Sequence, residues 1–370
     1  MAKDRRQVQI EAFNLFTDTL DGPMLAAFAG HEASDLQYGI DWLSNMAATA
    51  LEEGEDPVIY VARRSPEDFI ACPMKVNTRT SHAHSLSTFY STSYSPIIAS
   101  PEPDALFEAL FEYWARNERF ATLTLTPMDS NSPVFALVRQ ALIKSGWLGV
   151  HEFFCFGNWI HELKQASYQA YLVERPSRLK NTITRRTRQF LDANRGRVEL
   201  VTGGELLEDA IDRFVSIYNS SWKRSEPYPD FIPQLLRISA RRGWLRLGIA
   251  SYDKNPVAGQ IWLVWAGTAY IFKLAYHQDY GQLSPGTVLT AYLMEHVIDK
   301  DSVCRIDYLS GDDDYKKDWM SERRERRGIA AYNLRTLRGA YIYGGRALNN
   351  LRKKIFSPAK PQNAPETKIR

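Results

Sequence analysis

The sequence predicts an α/β (α+β) chain made of two tandem units, each a mixed, mostly antiparallel sheet with one parallel crossover and flanking helices. Three observations predict it. The same order of helical and strand periodicities runs twice along the chain. In each copy a helical segment joins two strand segments, which makes those two strands parallel. The length of 370 residues is enough for two domains with their own cores.

In the first copy, residues 35–53 carry an amphipathic helical pattern. Three strands follow: P-V-I-Y-V-A-R (57–63), F-I-A-C-P-M-K-V (69–76) and S-L-S-T-F-Y-S-T-S-Y (85–94). A helix over 105–117, the strand F-A-T-L-T-L-T, a helix over 134–145 and a strand over 150–160 complete the unit. The second copy opens on V-E-L-V-T (198–202), where Thr202 and Glu205 form a capping-box pattern ahead of a helix with Leu206, Leu207, Ala210, Ile211, Phe214, Ile217 and Tyr218 on one face. A helix over 233–242 should stop at Gly243. Strands over 244–251, 257–266 and 268–277, separated by D-K-N-P and A-G-T, read as a meander, and a helix over 286–299 crosses to a last strand at 304–309. The resulting division is a first unit at 1–165, a basic helical connector at 166–197, a second unit at 198–345 and a disordered basic tail at 346–370, and the paired Gly344 and Gly345 just before the tail argue against a long helix there.

The net charge of +3 conceals segregation. Residues 175–197 carry a net +7, including Arg185, Arg186 and Arg188, and residues 323–370 carry a net +11, so the remainder is net −15. Two basic zones on an acidic protein point to an anionic partner: a cofactor phosphate, nucleic acid or anionic lipid. Cys72, Cys155 and Cys304 are too far apart for a C-x-x-C pair, which excludes a disulfide framework and a cysteine-rich zinc site. The N-terminus lacks an apolar run after its charges and no stretch reaches 18 apolar residues, so a soluble cytoplasmic protein is expected. No metal site is expected. His82 and His84 share a strand face without a third ligand, and three consecutive acids at 312–314 rarely converge on one ion.

The segment Y-H-Q-D-Y-G-Q-L-S-P-G-T-V-L (276–289) holds the main candidate for an anion site. Ser284 is an N-cap type, Pro285 suits the first helical position, and Gly286 and Thr287 put little bulk beside the free N–H groups of a helix start. Such a start attracts phosphate through unpaired donors and the helix dipole, and it is equally the signature of a well-capped helix. The crossover returns to I-D-Y-L-S-G-D-D-D-Y-K-K-D-W (306–319). Asp307 falls near the C-terminal end of a parallel strand, where ligands of open α/β sheets collect. Tyr315 and Lys316 begin a helix beside that crevice, where a lysine stabilises a developing oxyanion or simply pairs with Asp312 or Asp313. Trp222 at a helix end either walls an acceptor pocket or packs.

These motifs give the segment 175–319 a resemblance to a family of the GNAT superfamily, the acetyltransferase-like proteins named after cellulose-biosynthesis and biotin-cluster systems. They are relatives of the FemAB aminoacyltransferases, which carry two GNAT-like units in tandem. The matching features are R-L-K-N-T-I-T-R-R-T-R, the Trp222-Lys223 pair, the P-V-A-G-Q strand, D-Y-G-Q-L-S-P-G-T, and D-Y-x-x-G-D-x-x-Y-K-x-x-W. Tyr308 stands where the family carries Phe, and the pyrophosphate signature Q/R-x-x-G-x-G/A is kept loosely as Gln282 through Gly286. The first half matches in architecture only.

The resemblance implies direct acyl transfer from acyl-coenzyme A, a co-substrate, to an amine or hydroxyl, without a metal. Gln282, Ser284, Pro285, Gly286 and Thr287 would hold the pyrophosphate. Lys316 would stabilise the oxyanion, with Tyr315 positioning it or protonating the leaving thiol. Asp307 or His277 would be the base, and Trp222, Asp312 and Arg185 would contact the acceptor. The implied setting is envelope or polysaccharide metabolism with a small-molecule, lipid-linked or sugar-linked acceptor. Two alternatives differ in class: a FemAB-like transferase using aminoacyl-tRNA, and a non-enzymatic adaptor docking its basic tail on an anionic membrane.

Overall fold

The structure, a computed structural model, describes residues 8–356. Its first half runs β1 (Gln9–Asn14), α1 (Gly22–Glu32), α2 (Ile40–Thr49), β2 (Asp56–Arg63), β3 (Phe69–Asn77), β4 (His82–Ser85), β5 (Ile97–Ala99), α3 (Pro103–Tyr113), β6 (Thr122–Asp129), α4 (Pro133–Lys144) and β7 (Leu148–Glu162). Then come α5 (Tyr168–Val173) and α6 (Ser177–Leu191). The second half runs β8 (Gly196–Val201), α7 (Leu207–Asn219), α8 (Phe231–Arg241), β9 (Leu245–Tyr252), β10 (Asn255–Trp265), β11 (Thr268–Tyr276), α9 (Pro285–Asp299), β12 (Arg305–Ser310), α10 (Lys316–Trp319), β13 (Glu322–Tyr332) and α11 (Leu337–Phe356).

The expected mixed sheet with parallel crossovers is present in both halves: β4 pairs β6 and β11 pairs β12 in parallel, and the other ladders are antiparallel. The two halves share one sheet of thirteen strands, ordered β1-β2-β3-β4-β6-β13-β7-β12-β11-β10-β9-β8, with β5 on β3. The halves exchange strands at the centre. β13, late in the chain, lies between β6 and β7, and β7 of the first half pairs with β12 of the second. Three cores result. One lies under α3 and α4, with Trp114 and Phe111. Another lies under α5, α6 and α9, with Trp262 and Met294. The third joins the halves, with Trp42 and Met46 of α2 against Phe231 and Leu235 of α8. There Tyr90 stacks flat on Phe231 at 3.9 Å between ring centroids.

Several expectations need correction. The strand expected at 85–94 is only its first residue, because Thr88 and Ser91 hydrogen-bond each other and turn the chain out of the ladder after Leu86. The helix expected at 35–53 is broken at Gly39, whose extended backbone passes so close to the Glu32 carboxylate that a Cβ would sit 2.1 Å from it. The Thr202–Glu205 capping box does not form. Gly203 and Gly204 take positive φ and α7 starts at Leu207 without a side-chain cap. Around Gly344 and Gly345 the chain is helical, within the 20 residues of α11. The tail from 357 onward lies outside the described residues. No helix among the described residues is long and apolar enough to cross a membrane.

Candidate active site

β11 and β12 pair only from Thr268 to Tyr270 against Arg305 to Asp307. Beyond that point the strands part, and a cleft of about 630 Å³ opens between Ile271–Leu274 and Tyr308–Ser310. The opening leaves one edge of β11 without a ladder partner on that side, so its backbone N–H and C=O groups face the cleft.

Lys316 stands at the head of this cleft, as the sequence predicted. Its Nζ donates to the carbonyls of Tyr308 (3.3 Å) and Ser310, sits 3.7 Å from Asp313 and is almost wholly buried. Burial lowers its pKa, with Asp313 acting in the opposite direction. Tyr315 lines the same cleft, its ring edge-on to Tyr308 at 5.8 Å and hydrogen-bonded to it. Burial and the Asp313 carboxylate push the Tyr315 phenol up to about 12, so it stays protonated and able to donate. The facing wall is the loop after α7, where Trp222 packs on Tyr276 at 4.5 Å and remains half exposed. Trp222 thus borders the cleft as expected.

The helix start connects to this cleft through Tyr276, whose ring packs on Trp222 and lies within contact of Gly286. Ser284 adopts a left-handed conformation (φ 51°) and makes no side-chain cap, contrary to the expected N-cap, while Pro285 takes the first helical position. Gly286 and Thr287 lie in the first turn of α9, where no helical carbonyl precedes their N–H groups, and among the described residues these N–H groups meet no other acceptor. The basic helix α6 packs on α9, and Arg186 donates to the Gln282 carbonyl at 2.6 Å, bringing its guanidinium to this corner. Arg185 projects from α6 into solvent. Unpaired N–H groups at a helix start beside a guanidinium are groups that attract an anion.

Other expected residues lie elsewhere. Asp307 is buried on the opposite side of the strand. It accepts from Asn158 (2.6 Å) and the Leu309 N–H (2.7 Å), pairs with Arg324 at 3.3 Å, and lines a second, polar cavity of about 320 Å³ between the halves. His277 caps the turn at 278–283 through Nδ1 and does not line the cleft, since β11 has ended before it. Asp312 is held by Arg323 and by the Trp159 indole (3.0 Å) over Gly157, where a Cβ would collide with it. Its neighbour Asp313 faces the cleft instead.

Sequence reasoning missed the polar network of the outer wall. Glu226 accepts from Tyr90 Oη (2.6 Å) and from Lys273, tying the 86–94 loop of the first half to β11. Lys223, noticed only as half of a Trp-Lys pair, lines the cleft with its ammonium over the rings of Tyr218 and Trp222. In the first half the corresponding parting of β4 and β6 is blocked by that loop, where Tyr94 N–H bonds to the Pro127 carbonyl at 2.6 Å.

Residues 177–317 match the family model of the acetyltransferase (GNAT) domain. No curated protein matches the sequence. Three solved structures share the fold. FemX is 12% identical with a TM-score of 0.54, covering 87% of this chain and 98% of its own. A tandem GNAT protein from the clavulanic acid biosynthesis pathway is 14% identical with a TM-score of 0.52, covering 88% and 98%. The C-terminal domain of a protein from Agrobacterium fabrum, named as a candidate lysylphosphatidylglycerol synthetase, is 12% identical with a TM-score of 0.50, covering 83% and 91%.

Proposed function

We propose that this chain, whose residues 177–317 match an acetyltransferase (GNAT) domain, transfers an acyl group from acyl-coenzyme A to an amine or hydroxyl by direct attack in a ternary complex. The observation that carries the reading is the parting of β11 from β12 beside the uncapped start of α9. A thioester with a pyrophosphate and an amide-bearing arm needs these two features together: free helix N–H groups for the anion and an unpaired strand edge for the amides.

In this reading Gly286 and Thr287 donate backbone N–H groups to the pyrophosphate, Arg186 adds charge, and Ser284, Pro285 and Gln282 shape the turn. The arm follows β11 into the cleft, where the thioester carbonyl meets the Lys316 ammonium. Lys316 already holds two carbonyl oxygens, so its head group is fixed before the reaction and loses little freedom when the oxyanion forms. The protonated Tyr315 gives its proton to the departing thiolate. Trp222 walls the acceptor's entrance. We read the acceptor as an envelope or polysaccharide precursor, a reading that α11, with its exposed Leu337 and Tyr341, supports as a surface able to rest on an anionic membrane.

Calorimetry and thermal shift with acetyl-, longer acyl- and free coenzyme A test the donor. Micromolar binding and a raised melting temperature, lost in Gly286→Asp, are expected, and absence of binding to every thioester overturns it. The exposed arginines of α6 favour a second donor, an aminoacyl ester carried on tRNA. In that case activity falls steeply between 50 and 200 mM salt, as counterion release requires (~10³-fold for several phosphate contacts).

A further inference from the structure

Three lysines line the cleft, and they are not equivalent. Lys316 bonds to two carbonyls and Lys273 to Glu226. For Lys223 no oxygen acceptor or carboxylate partner is assigned among the described residues, and its Nζ lies 5.8 Å from the Tyr218 ring centroid and 5.9 Å from that of Trp222. It lines the same cleft as Tyr315 and Lys316, beside the half-exposed Trp222. The acid–base candidates suggested by the sequence do not occupy that wall, since Asp307 faces the second cavity and His277 caps a turn.

We propose that Lys223 is the general base that deprotonates the acceptor. The inference rests on the thioester-transfer reading of the same cleft. The charged and titratable groups around it are Lys273 of β11, Glu226 of its own loop, and Asp313 and Lys316 on the far wall, with the Tyr218 phenol of α7 beneath. Burial, then the Lys273 charge, push its pKa down to about 8 against the pull of Glu226, with Lys316 adding a further repulsion. A lysine so placed is largely neutral just above pH 8 and carries a lone pair into the cleft, which an ion-paired lysine cannot offer.

The step balances as follows. The acceptor ammonium gives one proton to Lys223 Nζ, and the freed amine lone pair forms a C–N bond to the thioester carbonyl carbon. The oxyanion collapses, the C–S bond breaks with its electron pair on sulfur, and the thiolate takes a proton from Tyr315. The second nitrogen proton restores Tyr315, and Lys223 returns its proton to solvent. A hydroxyl acceptor gives its single proton to Lys223, and that proton passes through solvent to restore Tyr315, whereas water gives one proton to Lys223 and the second, left on the carboxylic acid formed, restores Tyr315.

The test uses the full chain and two readouts. Lysines are reductively methylated with ¹³C-formaldehyde and titrated by NMR. One dimethyl-lysine signal, absent in Lys223→Arg, should titrate near pH 8, and its titration with the other lysines at ~10.4 overturns the proposal. Thiol release from acetyl-coenzyme A, with water as acceptor, is then followed against pH. The wild type should rise about tenfold per pH unit to a plateau above 8. Lys223→Arg and Lys223→Met should both lose this limb and ~10²-fold or more in rate, with acetyl-coenzyme A affinity within twofold. If arginine preserves the rate while methionine abolishes it, Lys223 is an anion contact and the base assignment fails. If acetyl-coenzyme A neither binds nor is cleaved, the donor reading fails, and the NMR titration alone upholds or overturns Lys223 as the cleft's base.

Discussion

Ser85 closes a double hydrogen bond on Thr126: its Oγ donates to the Thr126 carbonyl at 2.7 Å and accepts the Thr126 N–H at 3.0 Å. The bond stitches β4 to β6 at the point where, in the second half, β11 and β12 separate. Ser85 is fully buried, so Ser85→Ala leaves a donor and an acceptor unsatisfied, a loss of about 1–3 kcal/mol. Denaturant melts should show this destabilisation while acetyl-coenzyme A affinity stays unchanged, because the first half holds no donor in this account. A large loss of affinity would place a thioester there instead.

Gly286→Asp should separate folding from anion binding. A Cβ at Gly286 meets only the Tyr276 ring, at an ordinary 3.5 Å, so the substitution fits. A carboxylate in the first turn of α9 favours the helix by ~0.3–1 kcal/mol, so the ligand-free protein should melt slightly higher. The same carboxylate repels the pyrophosphate, and affinity should fall more than ~10-fold, or ~1.4 kcal/mol. Unchanged affinity by calorimetry would remove the phosphate from this corner.

Lys316→Met should reduce turnover by roughly 10²–10³-fold, corresponding to ~2.7–4 kcal/mol of lost oxyanion stabilisation. Donor affinity should change little, since the pyrophosphate is held at α9. Single-turnover kinetics separate these effects, and a rise in Kd with unchanged chemistry would reassign Lys316 to binding.

Acid should weaken the fold before the carboxylates titrate. Burial holds His84 and His161 neutral, with pKa values near 4 against an ordinary 6.5, and Arg175 beside His161 reinforces this. The unfolded chain therefore binds more protons between these values, so stability is complete above pH 6.5 and declines as pH falls toward 4. Thermal melts from pH 7 to 5 should show the decline, and His161→Gln, which keeps a partner for Ser321, should flatten it. An unaltered slope would acquit His161.

The strand exchange predicts that residues 1–165 and 166–356, expressed separately, are insoluble and that co-expression restores a single cooperative unfolding transition. Expressed alone, the first fragment exposes the edges that β13 covers, and the second leaves β12 and β13 without β7. Two independent transitions in the intact chain, or a soluble first fragment, would contradict this.

Much of the second half is legible in the sequence because its signals are local. D-K-N-P and A-G-T do make tight turns, with Asp253, Lys254, Ala266 and Gly267 at positive φ, and the helix after Ser284 starts at Pro285. β13 is not legible. Its R-R-E-R-R reads as a solvated basic zone, yet Arg326 is buried against Asp129 and the partly buried Arg324 pairs with Asp307, carboxylates that only folding brings there. The site divides the same way. Lys316 and Tyr315 follow from a strand-end motif, whereas Asp307 is turned to the other face by the pleat of β12, and Leu309 with φ 53° breaks the alternation that could have revealed it. What sets Lys223 apart is that, among the described residues, its ammonium meets aromatic rings and no paired carboxylate, a property no linear pattern records.

The placement of β13 also orders events in time. The sheet is sealed at its middle by residues 322–332, so β7 must wait with an open edge while about 160 further residues are made. A nascent chain stalled before β13 is therefore a sticky species, and chaperone dependence should be governed by when β13 is made and not by the segment that lines the cleft.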